Sequence, residues 1–190
     1  TYDGVNGFSG NGTMSFQPDT TVTVTVKANA GYYAPTVTQP AGVTNWKKTG
    51  DYTYTFTMGT KDVTVKAEAK AIPKITAENG TGASISMLAN GKSISSGTAV
   101  MPNTKVTVKV TKDGNYYNPT VSAAGGVTLS KADTDTYYDS VSYTFTMGTQ
   151  DVKLTASAIA YPKITVKTQN QTIITVAKET VSSGTKDIPM

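Results

Sequence analysis

The stretch Tyr54-Thr55-Phe56-Thr57-Met58-Gly59-Thr60 is spelled a second time as Tyr143-Thr144-Phe145-Thr146-Met147-Gly148-Thr149. After each copy an Asp-Val pair opens another alternating run, Asp62-Val63-Thr64-Val65-Lys66-Ala67 and Asp151-Val152-Lys153-Leu154-Thr155-Ala156. Successive side chains of a strand point to opposite faces. Tyr54, Phe56 and Met58 therefore share one face, and Thr55 and Thr57 the other. The intervening Gly-Thr-x-Asp is turn chemistry, so the unit is expected to be a β-hairpin with one buried face.

Working outward, the same duplication covers most of the chain. Met58 and Met147 stand 89 residues apart, as do Pro73-Lys74-Ile75 and Pro162-Lys163-Ile164. Gly31-Tyr32-Tyr33-x-Pro35-Thr36-Val37 returns as Asn115-Tyr116-Tyr117-x-Pro119-Thr120-Val121 at an offset of 84. The five extra residues enter the second copy between Val127 and Tyr143. Ser95-Ser96-Gly97-Thr98 is answered by Ser182-Ser183-Gly184-Thr185 in a third, partial copy. Self-similarity at a fixed period means an array. The expected units are 1–70, 73–160 and the start of a third at 162–190, with a short joint at Ala69 to Pro73.

Strands are expected at Thr20–Lys27 and Thr104–Lys112, where Val22, Val24, Val26 and Val106, Val108, Val110 alternate with polar residues. Further strands are expected at Lys74–Ala77 and Ala83–Leu88, followed by a turn at Ala89-Asn90-Gly91-Lys92. Lys47-Lys48-Thr49-Gly50-Asp51 looks like a turn, and Thr1 to Gly12 like loop or a loose edge strand. The expected core combines the valine strands with Tyr54, Phe56, Val63, Val65 in one unit and Tyr143, Phe145, Val152, Leu154 in the other. No window carries an apolar stripe of 3.6-residue period, so almost no helix is expected.

Composition narrows the chemistry. The 190 residues contain no cysteine, no histidine and no arginine; the net charge of +4 and the pI of about 9.1 come from dispersed lysines. Disulfides and thiolate zinc sites are excluded. Nucleic-acid binding usually needs a concentrated basic face, so the lysines read as solvated strand faces and edge protection. No apolar run approaches the ~20 residues of a membrane span. The chain shows no signal peptide and opens at Thr1, as a mature or excised piece would.

At this point the motifs resemble a family. An opening strand, Ser-Gly-Thr, a Thr/Val strand, a Gly-Tyr-Tyr element and a closing Tyr-Thr-Phe-Thr-Met…Asp-Val-x-x-x-Ala unit are similar to divergent internalin-type B-repeats. The resemblance implies a secreted, mostly Gram-positive surface protein in which such units form stalks and adhesive arrays. Those repeats usually place a tryptophan after the Gly-Tyr element. The second unit has none, and Trp46 of the first comes later than that pattern. The expectation is an all-β chain of tandem small β-sandwich or β-grasp-like modules, with an immunoglobulin-like sandwich as the alternative.

Without histidine or cysteine, the commonest general base and the strongest nucleophile are missing, so no catalytic residue and no cofactor are expected. Asp133, Asp135 and Asp139 could gather oxygens around Ca²⁺, but they lack the glycine and bidentate glutamate of an EF-hand loop, and an acidic solvent loop explains them. Glu68, the strand-borne acid a lysine–asparagine cross-link would need, becomes Ser157 in the next copy. Tyr32, Tyr33, Trp46, Tyr116 and Tyr117 are the candidate glycan-stacking residues, weighed against core and turn packing.

Two function classes follow. One is a non-catalytic structural repeat of an extracellular stalk, adhesin or filament, whose partners are neighbouring repeats, copies of itself or a host surface. The other is a carbohydrate-binding module. The repeat phase adds a further expectation. The first unit has no recognisable counterpart of the strands at 74–77 and 83–88, while the tail copies them. Ile164, Val166, Ile173 and Val176 are therefore candidates for an inter-subunit strand that adds head-to-tail, unless Thr1–Phe16 supplies a divergent first strand pair.

Overall fold

The computed structural model describes residues 12–132, 139–165, 167 and 175. Every regular element among them is a strand. The first module holds β1 (Thr21–Thr25), β2 (Tyr32–Thr38), β3 (Thr44–Gly50), β4 (Thr53–Thr57) and β5 (Lys66–Ala71). The second holds β6 (Lys74–Glu78), β7 (Ala83–Ala89), β8 (Lys92–Ile94), β9 (Thr98–Ala99), β10 (Lys105–Lys112), β11 (Tyr116–Ala124), β12 (Ser130–Lys131), β13 (Ser140–Thr146) and β14 (Val152–Ala160).

The second module is a sandwich of a five-stranded sheet, β12-β13-β10-β7-β8, and a four-stranded sheet, β11-β14-β6-β9. All pairs are antiparallel except β14 with β6, which run parallel. Alternation fills the space between the sheets. Val106, Val108 and Val110 of β10 have no exposed surface, and neither do Ile75 and Leu154 on the facing sheet. Met87, Phe145, Met147, Val152 and Ala156 complete this core. Each fully buried side chain of this size contributes about 1.5–3 kcal/mol. The two-residue turn between β7 and β8 is Asn90-Gly91, both at positive φ (47° and 78°), as a type I′ hairpin requires.

The first module builds the latter part of the same plan. β1-β4-β3 repeats β10-β13-β12, and β2-β5 repeats β11-β14. The registers coincide: Val22 lies opposite Phe56 as Val106 lies opposite Phe145. Even the irregularities recur. β2 bulges between Tyr33 and Thr36, β11 between Tyr117 and Thr120, with Ala34 (φ 47°) and Asn118 (φ 51°) in the left-handed region. Asp19 N–H donates to Met58 O and Asn103 N–H to Met147 O, at 2.9 and 2.8 Å.

Four expectations are corrected. The Tyr-Thr-Phe-Thr-Met and Asp-Val runs do not form a hairpin. β4 pairs with β1 and β3, while β5 pairs with β2 in the other sheet, and β13 and β14 part in the same way. Gly59 and Gly148 do not take the positive φ of a primed hairpin turn; the Gly-Thr-x-Asp segment is an arch that carries the chain across the core. Lys47–Gly50 is strand rather than turn, because β3 lies along β4 as an exposed edge. The joint is shorter than expected: Ala69–Ala71 belong to β5, which leaves Ile72-Pro73 between the modules. Finally, the first module's core is not closed among the described residues. Val22 and Val24 are half-buried, and Val65 is 38% exposed where its counterpart Leu154 is 0%.

Candidate functional site

Two places merit a functional reading. The first is a shallow groove of about 780 Å³ on the second module, beside the five-residue insertion. It lies where the start of β11 meets β13 and the residues after β14, and Tyr117, Asn118, Lys131, Asp139 and Tyr161 line it. Tyr117 and Tyr161 stack on each other, ring centroids 5.1 Å apart and planes at 26°. The β11 bulge re-aims Tyr117 toward this edge, a common use of bulges. Tyr161 is fixed by its N–H donating to Asn115 O at 3.0 Å. The Lys112 ammonium lies 3.1 Å from the Asp139 carboxylate. The groove presents two half-exposed aromatic faces, a lysine and the Asn118 amide.

The aromatic residues singled out from sequence do not gather into one platform. Trp46 is on β3, stacked on Tyr54 and Phe56. Tyr32 and Tyr33 are on β2, in the other sheet of that module. Tyr116 packs its ring against Gly82, so closely that a Cβ there would clash with the ring. Tyr117 is the one that meets a second exposed ring, and its partner Tyr161 was not anticipated. Its first-module counterpart is Ile72, so the repeat carried no aromatic signal at that position.

Asp133 and Asp135 lie outside the described residues, and among the described ones no cluster of three or more acids is found. Asp139 is engaged by Lys112. Glu68 sits exposed on β5. No described helix is long and apolar enough to cross a membrane.

The second place is the edge of β5. Its counterpart β14 is flanked by β11 on one side and β6 on the other, whereas β5 is flanked by β2 alone among the described residues. Of the residues expected to pair there, Ile164 is 78% exposed and Lys163–Thr165 form no strand. Val166, Ile173 and Val176 lie outside the described residues.

Comparison with protein-family models, with curated proteins and with solved structures finds no match to this chain.

Proposed function

We propose that this chain is a non-catalytic structural repeat of a secreted bacterial stalk, adhesin or filament, whose working contacts are with neighbouring repeats or further copies of itself. The observation that carries this reading is the duplication itself: one strand order, one register and one bulge built twice on a two-residue joint. Repetition of that kind makes length and spacing. A connection as short as Ile72-Pro73, with its fixed proline φ, limits the swing between modules, as a stalk requires. The resemblance to internalin-type B-repeats points to the cell surface. Fractionation of the source cells with an antibody to this chain tests the reading. Recovery in the cell-wall or medium fraction is expected, and recovery in the cytosol contradicts it.

A second reading has its own observation. The Tyr117–Tyr161 stack at the rim of the groove could seat a sugar ring, making the second module a carbohydrate-binding unit. A glycan array separates the two. Retention of a defined glycan that Tyr161→Ala abolishes favours binding, and absence of retention favours the structural reading.

A further inference from the structure

Strand β14 begins at Val152 because it has partners on both sides from there: Lys153 pairs with Ala124 of β11, and Val152–Thr155 pair with Ile75–Glu78 of β6. In the first module the strand starts only at Lys66, three positions later in the repeat. Val63, Thr64 and Val65 pair with nothing described. The burial follows: Val152, Leu154 and Ala156 are at most 1% exposed, while Val65 is 38% exposed and Ala67 is exposed too. No described strand takes the place there that β6 holds in the second module, where Ile75 has no exposed surface.

The sequence holds a second copy of that strand. Pro73-Lys74-Ile75-Thr76 is used within its own module, whereas Pro162-Lys163-Ile164-Thr165 forms no strand among the described residues. In sequence, at the offset of 84, residues 1–20 align with 85–104 and not with the β6 stretch, with Asn6-Gly7 on Asn90-Gly91 and Pro18 on Pro102.

We propose that Lys163–Lys167 of one chain adds as a parallel strand to the free edge at Val63–Lys66 of a second copy, with Ile164 taking the place that Ile75 holds in the second module. The register is that of β14 with β6: Val63 opposite Ile164, Thr64 opposite Thr165, Val65 opposite Val166. Asp62 is exposed and ready to accept the Lys163 N–H, as Asp151 Oδ1 accepts the Lys74 N–H at 2.8 Å. Lys167 falls opposite Lys66, a repulsion that salt screens, so association strengthens as salt is added.

The occupant is a second copy because donor and acceptor lie at opposite ends. β6 and β14 run parallel, so the chain leaves the second module about 30 Å beyond the joint, nine residues at roughly 3.3 Å each. Only Tyr161-Pro162 separates β14 from the donor strand. The free edge is at the start of β5, the end of the first module away from the joint. Such a contact is head-to-tail and propagates.

The chain has no cysteine, so one disulfide tests the register. In the 190-residue chain carrying Thr64→Cys and Thr165→Cys, mild oxidation is expected to give a ladder of covalent multimers. Lys153→Cys with Thr76→Cys, the same register within one module, cross-links inside the monomer and serves as the control. The unmodified chain is expected to gain mass with concentration in light scattering. Ile164→Asp, which lies outside both modules, weakens that association at least about a hundredfold and leaves the unfolding of the second module unchanged. A cross-link within single Thr64→Cys/Thr165→Cys chains overturns the proposal, as does a mass that stays monomeric at high concentration. The pairing rests on module geometry and not on location, so it and the surface reading fail separately.

Discussion

Trp46 lies over Tyr54 with ring centroids 5.2 Å apart and planes 18° apart, and over Phe56 at 5.9 Å and 29°. It precedes Lys47, which pairs with Thr55; in the second module Leu129 precedes Ser130, which pairs with Thr144, the equivalent residue. Leu129 also packs against its core. The tryptophan of one module and the leucine of the other thus hold one position. Trp46→Ala is expected to cost the first module about 3 kcal/mol, the low end for a buried aromatic because the ring is half-exposed. Hydrogen exchange in β4 would rise while β13 stays protected. Equal protection of β4 in the variant would remove Trp46 from the core.

Trp46 is the single tryptophan, so its fluorescence reports the first module alone. With Val65 and Ala67 exposed and, among the described residues, no partner on one edge of β5, that module holds less buried apolar surface. At low protein concentration the fluorescence transition should come at lower denaturant than the main transition in circular dichroism. Coincident transitions would mean that the two modules are equally closed.

Phe145 of β13 is 5% exposed in the core, in register with Val106 of β10. Phe145→Ala should cost roughly 3–5 kcal/mol, a large part of the stability of a domain this size. Thr144→Ala, one residue away on the other face, should cost under about 1 kcal/mol. A melting temperature equally affected by both would contradict the facing.

Ala34 sits at φ 47°, where an L-residue other than glycine or asparagine is strained; the second module places Asn118 at that spot. Ala34→Asn is therefore expected to stabilise the first module by about 0.5–1 kcal/mol, read from Trp46 fluorescence in urea. A loss of stability would show that Ala34 contributes more through packing than it costs through strain.

Much of this was legible because strand alternation has a period of two. The faces of Val106, Val108 and Val110 could be read directly, and Asn90-Gly91 named its turn. The arch at Gly148 was not, because turn residues say that the chain reverses and not which sheet it joins. β3 was hidden by Lys47-Lys48-Thr49-Gly50, polar residues that an exposed edge tolerates and a turn favours. The Tyr117–Tyr161 stack has no image in the first module, where Ile72 stands in place of the second ring. The open edge of β5 was foreshadowed by the phase of the repeat, but its position at Val63–Lys66 needed the parallel register of β6 with β14.

The account turns on that edge, and amide hydrogen exchange at Val63–Lys66 against Val152–Thr155 tests it most directly. Val152–Thr155 should be protected at every protein concentration. Val63–Lys66 should exchange freely in the dilute chain and become protected as concentration rises. Strong protection of Val63–Lys66 at the lowest concentration, or none at the highest, would contradict the account.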